Sequence, residues 1–109
     1  MRDALAADPP SPEQTRLLVK HFLAVLAARA PGASVEVRVP PYAAVQAVAG
    51  VRHTRGTPPA VVELDAETWI ALATGALDWA DAEGQGRVRA SGERADLSPL
   101  LPLTVREDS

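Results

Sequence analysis

Residues Ser34-Val35-Glu36-Val37-Arg38-Val39 alternate strictly between apolar and polar side chains, and no other stretch narrows the choice of fold as much. Successive side chains of a β-strand point to opposite faces, so Val35, Val37 and Val39 share one face while Glu36 and Arg38 share the other. A strand patterned this way is half-buried and belongs to a sheet covered on one side. The cover must come from elsewhere in the chain.

Ser11-Pro12-Glu13-Gln14 places an N-cap, a proline at the first helical position and a glutamine three residues after the cap, which together satisfy the free amides of a helix start. The helix is expected to run to about Arg29 and to stop before Pro31-Gly32. Leu18, Val19, Phe22, Leu23, Val25 and Leu26 form a broad apolar arc opposite Glu13, Arg16, Lys20, Ala24 and Ala27. That arc suits a helix lying deep on a sheet, with dimerisation or ligand lining as the alternatives. Residues 1–10 have no strong pattern and read as a flexible arm, with one helical turn at Leu5 to Ala7.

After Pro40-Pro41, the stretch Tyr42 to Val48 is short and bounded by turn residues, which favours a second strand although its alanines also suit a helix. Gly50 to Pro59 reads as a hairpin connection and Ala60 to Leu64 as a third strand, making an antiparallel meander. Asp65 is placed to cap a helix whose inner side carries Trp69, Ile70, Leu72 and Ala73, and Gly75 stands where a left-handed C-cap is needed. Asp78 caps a further turn through Glu83. Gly84-Gln85-Gly86 ends it, and Arg87-Val88-Arg89-Ala90 alternates as a fourth strand with Val88 and Ala90 inward and both arginines outward. Asp96-Leu97-Ser98-Pro99 caps a last turn or two through Leu101, Pro102 ends them, and residues 104–109 form a tail. The pattern describes one α+β domain over residues 11–103, with a mostly antiparallel sheet of four to five strands and helices packed on one face.

Composition removes several classes of function. The chain is 47% hydrophobic, but only four residues are aromatic, so its interior must be built from Ala, Val and Leu. The net charge is −3 and basic residues are scattered, which excludes the electrostatic footprint of a nucleic-acid binder. Ten arginines against one lysine point to a GC-rich coding sequence rather than to bidentate anion contacts. The absence of cysteine rules out disulfides, thiolate metal sites and cysteine nucleophiles. The longest apolar run, Phe22 to Ala28, is far short of the roughly 20 residues that span a bilayer, and the first residues lack a signal-peptide pattern, so a cytoplasmic protein is expected.

Polar groups cluster in one place, Arg52-His53-Thr54-Arg55-Gly56. Arg52, His53 and Arg55 could hold a carboxylate or phosphate through charge-assisted hydrogen bonds, while the simpler reading is a solvated loop whose arginines pair with acids such as Glu63. His53 has no recognised nucleophile or orienting carboxylate beside it, and His21 lies on the flank of the first helix as a boundary residue. Asp78-x-x-Asp81-x-Glu83 is explained by capping and solvation, and neither a metal nor a cofactor is expected.

Asp65-Ala-Glu-Thr-Trp, then Leu72-Ala-Thr-Gly-Ala-Leu77, then Gly86-Arg-Val-Arg-Ala-Ser-Gly92, then a leucine-rich end, resembles the sterol carrier protein superfamily. There a D-x-x-T helix running into L-x-x-G-x-L precedes a second helical turn, a strand ending in Gly and a closing apolar helix. Val35 to Pro41 together with Arg52 to Pro59 is similar to the bacterial sterol-carrier orthologue group found in actinobacteria. The likeness covers Val35 to Leu103, about two-thirds of the chain. It implies a mixed sheet with helices on one face and an apolar tunnel for sterols, fatty acids or acyl thioesters. Here the closing element is interrupted by Pro99 and Pro102, which leaves that tunnel shallow or absent.

In such a pocket the lining candidates are Trp69, Leu72, Leu77, Trp79, Val88, Leu97, Leu100 and Leu101, which are equally the expected core. The sequence thus favours a non-catalytic module that binds a lipid or another apolar small molecule. A protein-interaction or accessory module, docking a partner, or a second copy as a homodimer, through the first helix or an exposed sheet edge, is the alternative. An enzyme acting on an anion at the Arg52–Arg55 loop is the weakest reading.

Overall fold

The computed structural model describes residues 11–49, 60–91 and 97–104. Helix α1 (Pro12–Arg29) opens with the anticipated reciprocal cap: the Gln14 amide donates to Ser11 Oγ at 3.1 Å, and the Ser11 amide donates to Gln14 Oε1 at 2.9 Å. Of its apolar arc, Val19, Phe22, Leu23 and Leu26 are buried, whereas Leu18 is 37% exposed and its neighbour Leu17 58%. His21 is exposed and meets Phe22 edge-on at 4.9 Å.

Strands β1 (Val35–Val39), β2 (Ala43–Ala47), β3 (Ala60–Leu64) and β4 (Val88–Ser91) form one sheet in the order β2-β1-β3-β4. The alternation in β1 is realised in full, since Val35, Val37 and Val39 are completely buried and Arg38 is exposed. Register extends this face across the sheet, aligning Val37 with Val45 of β2 and with Val62 of β3. The opposite face carries Arg38, Glu63 and Arg89 in one row, and Arg38 Nε donates to Glu36 Oε2 at 3.0 Å.

The pairing overturns the meander. β1 and β2 are antiparallel, as are β3 and β4, but β3 lies beside β1 and runs parallel to it. The sheet is therefore mixed, and β2 and β3 lie on opposite sides of β1 rather than pairing as neighbours. Alternation assigns a strand's faces but says nothing about its neighbour, which explains the error. The connecting residues 50–59, the arm 1–10, Asp96 and the tail beyond Thr104 lie outside the described residues.

Where α1 meets the sheet, the chain is pinned by short backbone contacts. The Val48 amide donates to Ala30 O at 2.6 Å, and Val48 O accepts from the Ser34 amide at 3.0 Å and from Ser34 Oγ at 2.6 Å. These bonds hold Val48 at φ +71°, a conformation that a β-branched residue seldom adopts. Gly32, at φ +147°, passes directly against the Val48–Ala49 backbone, where a side chain has no room.

Helix α2 (Ala66–Thr74) follows β3, and helix α3 (Trp79–Gly84) leads into β4. Trp69, Leu72 and Ala73 on α2 join the valine face of the sheet and the buried residues of α1 in one core, and Trp69 Nε1 reaches Val19 O on α1 in a long bond of 3.4 Å. Ile70 is only half-buried. The helices thus cover one face, as expected. The cover thins at β4, where Val88 is half-buried and Ala90 is exposed in spite of its inward register opposite Val62.

Candidate functional site

The motif running from Asp65 to Leu77 builds the most distinctive local structure. Asp65 Oδ1 accepts from the Thr68 amide at 2.8 Å, closing the start of α2. The Thr68 side chain is fully buried, and its hydroxyl accepts from Arg87 Nε at 3.1 Å. Arg87 also donates to Gln85 Oε1 at 3.3 Å. It precedes β4 and turns inward, so the outward placement expected for it is corrected: a buried hydroxyl needs a partner, and this guanidinium supplies one. Arg87→Met should lower stability by about 1–3 kcal/mol in urea unfolding, because Thr68 Oγ1 is left unpaired.

Gly75 ends α2 at φ +87°, in the left-handed cap its position foretold. The Ala76 and Leu77 amides turn back onto Ala71 O at 2.9 and 3.2 Å, directing the chain toward α3. Asp78 occupies the N-cap position of α3, but its carboxylate makes no capping bond. After a single 3-10 turn (Ser98–Leu100), the chain returns across the end of α2, where the Leu103 and Thr104 amides donate to Ala73 O at 2.8 and 3.3 Å. The broken closing element therefore becomes an extended strap with buried Leu103 beneath it.

Between the last turn of α2, the start of α3 and this strap lies a groove of about 330 Å³. Four of the eight expected lining residues meet here, Leu72, Leu77, Trp79 and Leu101, joined by Gly75 and Pro102 among others. The remaining four are elsewhere. Trp69 and Leu97 are buried in the core, while Val88 and Leu100 are half-buried against it. The lining residues outside that set are Thr74, Gly75, Asp78, Ala80, Ser98 and Pro102, of which Gly75, Asp78, Ser98 and Pro102 belong to cap and breaker motifs in the sequence. A turn residue lines a groove only when the strap's return path is known.

A second depression, of about 280 Å³, is lined by Pro40, Glu63, Leu64, Asp65, Gly86, Arg87 and Arg89. Its two carboxylates offset its two guanidinium groups, one of which is engaged with Thr68, so it does not concentrate positive charge. Arg52, His53 and Arg55 lie outside the described residues. Among the described residues, no group of His, Asp and Glu side chains could hold a metal ion. No described helix is long and apolar enough to cross a membrane.

Helices over one face of a mixed sheet, with an open groove of mixed polar and apolar lining at the end of α2, define a small α+β domain. The sequence profile of the family described as bacterial SCP ortholog matches residues 11–103, and the chain belongs to that family. Among curated proteins, none matches it.

Proposed function

We propose that this protein is a non-catalytic module of sterol-carrier type that binds a small apolar or amphipathic molecule in the groove between α2, α3 and the strap. The observation that carries the reading is the convergence of Leu72, Leu77, Trp79 and Leu101, drawn from three separate segments, around one open volume. Clefts lined mainly by apolar side chains with a few polar groups are the usual form of small-molecule sites. Family membership over residues 11–103 supports the same reading.

Size narrows the ligand. Small-molecule pockets span about 300–1,000 Å³, and this groove of about 330 Å³ stands at the lower end. It suits one short chain or ring system better than a whole sterol or a long acyl thioester. The groove's Thr74 hydroxyl is engaged with Ile70 O at 2.8 Å, which supports binding over nucleophilic chemistry.

Native mass spectrometry of the protein purified from its own host tests the proposal. The expected result is a co-purifying apolar molecule that is lost from the Leu77→Asp variant, which places a carboxylate on the groove wall. Retention of the molecule by a folded Leu77→Asp variant would move the site elsewhere. Finding only ligand-free protein under gentle conditions would count against a carrier role.

A further inference from the structure

Trp79 is the largest side chain on the groove, yet only 6% of its surface is exposed. Its Nε1–H is shut off from solvent and has no hydrogen-bond partner. A buried donor without an acceptor lacks both its water and a replacement for it. Trp69 provides the contrast, because its indole N–H finds Val19 O. The two tryptophans thus differ in one property: the N–H of Trp69 is engaged, and that of Trp79 is buried without an acceptor.

The charge around the groove selects among acceptors. Among the described residues that line it, Asp78 is the only ionisable one, and no Lys, Arg or His accompanies it. A carboxylate or phosphate entering this space would meet like charge and, among the described residues, no counter-ion. A neutral carbonyl or ether oxygen meets neither obstacle.

Resting on the groove reading above, we propose that the ligand is an uncharged amphiphile whose acceptor oxygen, of ester, amide or ether type, takes the hydrogen bond of Trp79 Nε1–H while its short apolar part lies against Leu72, Leu77 and Leu101. Because solvent does not reach Nε1 in the free protein, binding shifts the groove wall enough to admit the oxygen. Selectivity follows from the same geometry: the N–H discriminates the ester from a plain alkane, and Asp78 discriminates it from a free acid.

Two-dimensional proton–nitrogen NMR of the full chain tests this, since the protein has two tryptophans and therefore two indole N–H signals, assigned by the loss of one in Trp79→Phe. The probes are methyl hexanoate, hexanoate ion and heptane. Methyl hexanoate is expected to move the Trp79 indole signal downfield, to leave that of Trp69 in place, and to bind about tenfold tighter than either hexanoate or heptane, the worth of one neutral hydrogen bond. Trp79→Phe should remove that advantage, so that methyl hexanoate and heptane bind the variant equally well.

Should the ester bind no better than heptane with the indole signal unmoved, the acceptor proposal is wrong although the groove reading stands. Should hexanoate bind best, the charge argument fails and the proposal with it. If none of the three probes perturbs signals from residues 72–80 or 98–102, the groove is not the binding site and both readings fall. The indole shift is read on the unsubstituted protein, and should Trp79→Phe not fold, the loss of the other signal in Trp69→Phe supplies the assignment.

Discussion

Replacing Trp69 by alanine is expected to lower the unfolding free energy by about 3–5 kcal/mol, the usual loss when a large aromatic side chain leaves a packed core. Trp69 is completely buried and belongs to the same core as Val19, Leu23 and Leu26 on α1 and Val37 and Val62 on the sheet. Its removal opens a cavity where α1, α2 and the sheet meet, and the interior has few other large side chains to refill it. Domains of this size have a total stability of about 5–15 kcal/mol, so the variant should be partly unfolded at moderate temperature. Trp69→Phe keeps most of the volume and should cost much less. Urea denaturation followed by circular dichroism measures both, and equal losses for the two variants would show that the indole does not sit in a packed core.

The second large effect is expected at Gly32. Alanine there must adopt φ +147°, and its Cβ would run into backbone atoms of Val48 and Ala49. Backbone strain of about 1–3 kcal/mol adds to an overpacking cost of about 1–3 kcal/mol, so Gly32→Ala should lose about 2–6 kcal/mol. Gly84 is the internal control. It closes α3 with no atom near a prospective Cβ, and Gly84→Ala should be neutral or gain up to about 1 kcal/mol by helix propensity. A Gly32→Ala variant as stable as its Gly84→Ala counterpart would mean that the backbone contact at Val48 and Ala49 does not constrain the chain.

Gly32 shows how far the linear pattern reaches. Its place after Pro31 identifies a helix stop, and α1 does end at Arg29. The pressure on Gly32 comes from a backbone segment sixteen residues away, brought there by the return of β2, and nothing local announces that approach. Gly75 is the opposite case. Its left-handed conformation follows from its position behind Leu72, Ala73 and Thr74, and the helix needs that cap wherever α2 is placed.

Arg87 and the groove lie between these extremes. The apolar residues that line the groove were recognisable as apolar and inward, but the same character describes the core, and only four of eight face open volume. Trp69 and Trp79 look alike in sequence: each stands in a short helix behind an Asp at the N-cap position. One donates to Val19 O and the other to nothing. That difference, on which the ligand proposal rests, is set by which carbonyls neighbouring elements bring within reach.

What the sequence alone determined are the properties encoded within a few residues. The capped starts of α1 and α2, the two faces of β1, the glycine stop of α2 and the one-sided burial of the sheet all follow from backbone preferences and the periodicity of apolar side chains, which act over one or two turns. The family kinship was legible for the same reason, because its motifs, spread over Val35 to Leu103, are runs of such local signals. The tertiary structure decided the parallel docking of β3 on β1, the inward turn of Arg87 to Thr68, the close approach at Gly32 and the strap that makes a groove out of caps and breakers. Each of these depends on two segments distant in the chain meeting with a particular geometry, and a pairing of that kind is chosen by the packing of the whole core.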